Sequence, residues 1–491
     1  MSSTITTTPL PTPGIQLARY AVSHRTRPLP PNVLLKLKHH LLDTFSAIVS
    51  GSALEAGLAS QTHLSTLPSS DKCSVIGTFL RTSIVDSAFA NGMSAHADES
   101  DDSHETSQTH PGCGILPAAL SISEYVSASG EDLIKAVGLG YEICIRFGES
   151  LSSSLSFSRS SLSCHALGPL FGGGFAAGYL LGFTEEKYLI LLNYLAQEAS
   201  GLTTWRLDKA HTLKSYVFAG MPASNAVKCV MMVNSGFTGT GDVLGEDRNF
   251  FDAILPGKNA RLDLRDLESW KVLEADLKKY SVGFPIAAPL AALESIIDDI
   301  QSSNSNSNRS LKIGQKRKSE AEEGVEKEEK SEGEMWKKVE WVKLWYHPDW
   351  YKVIGDANHM PDLNLRHCLA ATLVQGRLTF DASHDESLMK EPRIVAVGKT
   401  IQLLDDEEQD RFTARVEVKI GDKVWKMEQG GNVLGRYENP MNEEQVIDKA
   451  KELLGTVLDE ERVKGVVEIV SRLEKEKSLD KLIGFMCPPK I

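Results

Sequence analysis

The chain has 491 residues, 41% of them hydrophobic and 24% charged, with a formal charge of -13. That length allows two or three domains around a sizeable core, and the composition excludes a mainly disordered or fibrous chain. The acidic balance argues against a nucleic-acid partner, because phosphate binding needs a basic face and no Lys/Arg cluster here is large and unopposed.

Residues 1–14 are Thr/Pro-rich and read as a disordered tail. From 15 to 270 the chain is helical, with apolar residues at helical spacing over 15–23, 32–50, 83–94, 115–129, 131–150, 166–181, 185–200 and 219–234. Small residues, as in the run from Gly172 to Gly178, let such helices approach closely. After Lys271 the pattern changes. One helix closes at 294–301, and residues 302–338 run as Ser/Asn repeats followed by a Lys/Glu block, which buries too little apolar area to order itself. Alternating strands follow at 339–346, 411–420 and 423–428, with a helix at 363–375. Amphipathic helices return at 444–455, 459–475 and 479–486.

The expected fold is therefore mainly α. It is a large all-helical domain (15–270) with an inserted smaller α+β lid domain (271–438) that contains the disordered insertion 302–338, and C-terminal helices (439–491) that rejoin the first domain. Seven scattered cysteines without a Cys-x-x-Cys pair, and the lack of a signal segment, predict reduced thiols and a cytoplasmic protein. No apolar run of transmembrane length is read, so no membrane partner is expected.

The window 96–114 crowds His96, His104 and His110 with Asp98, Glu99, Asp101, Asp102 and Glu105 between two helical patterns. His and carboxylates are possible metal ligands, but no His-x-x-x-His pair lies on a helix, and the expectation is no metal. General acid/base chemistry suits the window better. An imidazole with an ordinary pKa of about 6.5 exchanges protons readily, and neighbouring carboxylates orient it. His110 leads, because Pro111 and the Gly112–Gly114 turn fix it just before a helix whose free N–H groups can receive a carboxylate. His104 and Glu105 read as a solvated rim. His165 repeats the placement of His110 ahead of a Gly-rich helix, while Arg206, Lys209, His211 and Lys214 form the cationic concentration that a polycarboxylate would need. Cys113 and Cys164 adjoin the two histidines and read as small buried residues rather than nucleophiles.

The order of Ala90–His96, Asp101–Asp102, Thr109–Pro111 with Leu116–Ala119, His165, Lys214, Gly236–Gly239, Leu369–Ala371 and Asn439–Met441 resembles the MmgE/PrpD family, which includes 2-methylcitrate dehydratase, iminodisuccinate epimerase and cis-aconitate decarboxylase. The resemblance covers nearly the whole chain. It implies a homodimer of two-domain subunits that acts on small di- and tricarboxylates without metal or organic cofactor. Position by position it implies catalytic roles for His110, His165 and Glu99. Lys214, Ser103, Asp102 and, as a loose counterpart of a lid tyrosine, Tyr351 would bind substrate. The stretch from Lys279 to Pro289 lacks the histidine that relatives carry there, which predicts an apolar site wall and room for an alkyl arm. The expected activity is decarboxylation of an aconitate-like acid. The alternatives are dehydration of a 2-alkylcitrate or 2-methylcitrate, epimerase or cyclase chemistry, and a non-catalytic binding protein that kept the fold.

Overall fold

A computed structural model describes residues 11–153, 161–245, 249–256, 261–312, 335–350, 354–356 and 359–489. The chain divides into two compact units, 1–277 with 442–491, and 278–441.

The first unit is a stack of helices: α1 Pro13–Ser23, α2 Pro31–Gly51, α3 Glu55–Leu64, α4 Ile84–Ala95, α5 Pro111–Val126, α6 Gly130–Ser152, α7 Cys164–Leu180, α8 Glu185–Glu198, α9 Thr212–Asn234 and the short α10 Phe250–Ile254. Local chemistry sets their starts. Ser83 caps α4 by accepting from Asp86 N, and Ser129 and Asp132 form a reciprocal capping box on α6. Proline occupies the first turn of α1, α2 and α5, where its missing N–H costs nothing.

Helices α5, α6 and α7 approach so closely that side chains are excluded at their contacts. A Cβ on Gly114 would stand 2.6 Å from Pro169 Cβ, and one on Gly172 would stand 2.6 Å from Gly140 O. The small-residue run of α7 thus does what its composition predicts. Two findings depart from the expectation of an all-helical unit free of long apolar runs. Cys73–Ser74 pairs antiparallel with Arg81–Thr82, a two-residue ladder (β1, β2) too short to show any alternation. Helix α9 is long and apolar enough to cross a membrane by length and composition, and 61% of its most apolar window is buried inside the protein.

The second unit contains α11 Ala287–Lys312, β3 Val339–Tyr346, α12 Leu365–Gln375, α13 Phe380–His384, α14 Pro392–Gly398, β4 Ile401–Asp405, β5 Ala414–Ile420 and β6 Lys423–Gln429. Its sheet has the order β4-β3-β5-β6, with β3 and β4 parallel and the other pairs antiparallel. Val342, Leu344, Val416 and Val418 are fully buried in a core shared with Leu290, Leu293 and Ile296 of α11. Helix α11 continues to Lys312, so the Ser/Asn repeat from 302 to 312 is helical rather than disordered, and the remainder of the expected insertion up to 334 lies outside the described residues. The apolar stretch from Lys279 also has a local explanation. Ile286, Ala288 and Leu290 are buried in this unit's own core, which accounts for their character without a site wall. The chain then returns to the first unit through α15 Glu443–Leu454, α16 Glu460–Ser471 and α17 Asp480–Met486.

Candidate active site

The acid-rich window forms the link from α4 to α5, and most of it is buried. His96, Asp98, Asp101 and Asp102 are 0% exposed, a burial that charged groups tolerate only when paired and hydrogen-bonded. Each has partners. Asp98 accepts from Ser50 Oγ at 2.5 Å and from Ser100 N at 2.9 Å. Asp102 accepts from Gly112 N at 2.8 Å, His40 Nδ1 at 2.8 Å and the Tyr141 hydroxyl. Gly112 is required there, because a Cβ would stand 2.4 Å from Thr44 Oγ1 and 2.9 Å from Asp102 Oδ1. Lys449 of α15 pairs with buried Asp43 at 2.5 Å and donates to Ser100 O at 2.6 Å, which pins the loop from the far end of the chain.

Asp101 is the centre of the cluster. Its Oδ2 lies 2.8 Å from His96 Nδ1 and 3.3 Å from His110 Nδ1. His110 occupies the N-cap of α5, and its buried Nδ1 faces Asp101 at ion-pair distance without hydrogen-bond geometry, with no hydrogen-bond partner among the described residues. Burial opposes a charged Asp101, but the two imidazoles outweigh it and hold the carboxyl well below the usual range. Burial pushes His96 and His165 well below the ordinary histidine value, so both are neutral near pH 7. An ionised carboxylate can only accept, so the charge of Asp101 favours the proton on His110 Nδ1 and leaves Nε2 for proton transfer.

Phe218 is the platform on which these rings rest. His96 stacks on it at 4.4 Å and His165 at 4.2 Å, between ring centroids, and His110 lies at 5.5 Å. His110 and His165 are 5.8 Å apart. Phe218 sits in a π-turn of α9, Tyr216–Gly220, a helix irregularity frequent at functional sites. Ser215 Oγ, just before that turn, donates to His96 O at 3.0 Å and ties α9 to the acid loop.

Lys214, one residue earlier, is in direct contact with Glu99, and its ammonium lies 5.4 Å from the Phe218 centroid and 5.5 Å from the Trp205 ring centroid. His211 Nδ1 is 3.8 Å from the same Glu99 oxygen. Glu99 and His211 both have left-handed backbones, φ 54° and 55°, which residues with a Cβ rarely adopt and which cluster at functional sites.

His110, His165, Glu99 and Lys214 are thus brought together. Asp102 stands one residue from Asp101, but its carboxylate is committed to three protein donors. Ser103 joins Asp276 through two backbone bonds of 3.1 and 2.8 Å. Tyr351 lies outside the described residues. His104 corrects the reading of a solvated rim. It is only 3% exposed, with Nδ1 accepting from Ser107 N at 3.2 Å, whereas its neighbour Glu105 is exposed as expected. A two-residue β-bridge between His104 and Thr109 turns the His104 ring inward, and polar composition alone does not show this.

Two groups among the described residues have metal-ligand spacing: His96 with Asp101 and Cys113, and His104 with Glu149 and Glu274. Their chemistry suits hydrogen bonds. Burial pushes the Cys113 thiol well up, and Sγ donates to His110 O at 3.2 Å. In the second group the Lys271 ammonium already stands 3.0 Å from both glutamates.

Sequence reasoning missed Phe218 and Trp205. Both sit in apolar or mixed runs that read as helix and connector, and the one available hint was an aromatic residue in the mostly polar 203–209 segment.

Comparison with known proteins identifies the family. The model of the MmgE/PrpD N-terminal domain matches residues 15–263 and that of the MmgE/PrpD C-terminal domain matches 320–475, so the chain belongs to the MmgE/PrpD family. It is 22% identical over 499 residues to cis-aconitate decarboxylase of Aspergillus terreus, covering 97% of this chain and 96% of that protein. A second match, to the enzyme of that name from Aspergillus terreus strain NIH 2624 / FGSC A1156, has the same identity and coverage. The cis-aconitate decarboxylase-like protein oryM of Aspergillus oryzae is 25% identical over 256 residues, 50% of this chain and 52% of that protein. Family and relatives together support an enzyme of the lyase or dehydratase type.

Proposed function

We propose that the protein is a cofactor-independent lyase that decarboxylates a small aconitate-like polycarboxylate by general acid/base catalysis. The observation that carries this reading is the buried Asp101 carboxylate shared by His96 and His110, with the Lys214 ammonium 5.4 Å from the centroid of Phe218, the ring against which both imidazoles lie. Lys214, partly exposed, holds a substrate carboxylate in exchange for part of its contact with Glu99. As the carbon–carbon bond to the departing carboxylate breaks, its electron pair passes into the carbon skeleton as CO2 leaves. A proton on His110 Nε2 then quenches that carbon, and Asp101 stabilises the imidazolium that delivers it. The similarity to proteins named cis-aconitate decarboxylase supports the choice of substrate class. The family resemblance supports a homodimer, and the unpaired cysteines support a cytoplasmic setting.

Dehydration of a 2-alkylcitrate is the second reading, favoured by the two differently set imidazoles 5.8 Å apart, one able to take an α-proton and the other to assist a leaving hydroxyl. The test is a panel of cis-aconitate, citrate, 2-methylcitrate and longer alkylcitrates given to the wild type and to His110→Ala. CO2 release from cis-aconitate that is lost in the variant supports decarboxylation. An alkene acid formed from an alkylcitrate selects dehydration, and no turnover of any member overturns both.

A further inference from the structure

His165 is held by a chain of donors as well as by stacking. Trp205 Nε1 lies 3.3 Å from Ser163 Oγ, and Ser163 Oγ lies 3.2 Å from His165 Nδ1. An indole nitrogen can only donate. Trp205 N–H therefore fills one of the two lone pairs of Ser163, and the buried hydroxyl proton, which an indole cannot accept, has His165 Nδ1 as its only acceptor among the described residues. A neutral imidazole that accepts at Nδ1 carries its proton on Nε2. The opposite holds at His110, where an acceptor-only carboxylate faces Nδ1.

We propose that Trp205 and Ser163 are positioning residues that lock His165 as its Nε2–H tautomer, a neutral hydrogen-bond donor to a substrate oxygen, while His110 moves the proton. The part assigned to substrate rests on the lyase reading above, but the lock itself does not. Burial supports it: Ser163 is 1% exposed, so water does not compete for its hydroxyl, and His165 resists protonation. The geometry is local to the first unit. Ser163 is the N-cap residue of α7 but makes no side-chain cap bond, so its hydroxyl is free for this relay, and Ser163 N is anchored to Gly201 O at 3.1 Å just ahead of the Trp205 turn.

The experiment is nitrogen NMR of protein labelled with 15N-histidine, with the His165 signals identified by their loss in His165→Gln. The wild type is expected to show a bonded, unprotonated Nδ1 and a protonated Nε2. Trp205→Phe removes the donor that holds the Ser163 hydroxyl in place, so the bond to His165 weakens and the Nδ1 shift is expected to move part of the way towards that of an unbonded acceptor. Ser163→Ala keeps the indole and its packing but is expected to move Nδ1 to the position of an unbonded acceptor. In a turnover assay both variants should lower kcat about tenfold with little change in KM, the scale of a weakened proton or hydrogen-bond donor. A proton on Nδ1 in the wild type, or unmoved shifts in both variants, overturns the lock. The NMR readout needs no turnover, so a protein inactive on every acid but with the expected shifts refutes the lyase reading and leaves the lock standing.

Discussion

The two helix starts that bear the candidate histidines share a plan and differ in chemistry. His110 sits at the N-cap of α5 and His165 in the first turn of α7; each helix has an internal proline and each histidine adjoins a buried cysteine. Around His110 the partners are carboxylates, Asp101 directly and Asp102 through Gly112 N. Around His165 they are a hydroxyl and an indole, with no charge. The difference teaches that one residue type at equivalent positions is given two jobs by what faces its Nδ1: an acceptor-only group makes a proton carrier, and a donor chain makes a neutral hydrogen-bond donor.

Breaking the charged side should have the largest effect. His110→Ala is expected to lower kcat on the order of 10³-fold with an unchanged melting temperature, and Asp101→Asn on the order of 10²-fold or more, since an amide can present the wrong group to Nδ1. Steady-state kinetics on the best acid of the panel, with thermal unfolding alongside, measures both. A loss of less than tenfold in either would remove the distinction drawn between the two histidines.

The buried histidines on both sides also set the response of the fold to acid. Burial lowers His24 and His40 to about 4, and it holds His96 and His165 well below the ordinary histidine value. In the unfolded chain they return to about 6.5, so from pH 6.5 down to 4 the unfolded state binds more protons and stability falls as pH falls. Asp43 and Glu142, which burial raises to about 6 and 7, act in the opposite sense, because their contribution is present in acid and lost as pH rises through those values. The histidines outnumber them, and His24 or His40 alone is worth about 3 kcal/mol across the window. Urea unfolding at pH 5 and pH 7 should show the weaker protein at pH 5, and His24→Gln should narrow the difference without abolishing it.

Lys214→Met sharpens the comparison on the substrate's side. Loss of a charge-assisted contact predicts a KM raised about 10- to 100-fold with a smaller change in kcat. A fall in kcat alone would place Lys214 in the chemistry instead of in binding.

How far these roles could be read from sequence depended on whether the signal was local. His110 and His165 were legible because each precedes a helix rich in glycine, and Lys214 because it belongs to a cationic run in an apolar neighbourhood. The family resemblance was legible for the same reason, since its motifs keep their order along the chain, and the domain models confirm it. Phe218 was not legible. An aromatic in an apolar helix looks like core, and only the π-turn of α9 and the fold of the acid loop bring three imidazoles around it. The burial of His104 depends on a bridge across five residues, and strand β4 depends on a parallel partner some 60 residues earlier in the chain. Likewise, the apolar residues after Lys279 were given a role in the site because sequence cannot show which core they join.

The smallest expected effect concerns the cysteines that accompany the two histidines. A thiolate nucleophile beside an imidazole would make either helix start a covalent site, with the carboxylates and the indole relay reduced to supports. The environments argue otherwise on both sides. Burial raises the Cys164 thiol to about 12 and the Cys113 thiol well up, with Asp101 and Asp102 acting in the same direction on Cys113, so neither thiol ionises near neutral pH. Cys113 spends its proton on His110 O, a bond that steadies the N-cap turn but that the turn's own Gly112–Asp102 contact largely duplicates. Cys113→Ala should therefore change kcat/KM by no more than about threefold, the scale of one modest neutral hydrogen bond, and the wild type should resist iodoacetamide at pH 7.5. Loss of a hundredfold or more in the variant, or stoichiometric inactivation that spares it, would move the chemistry from the histidines to the thiol.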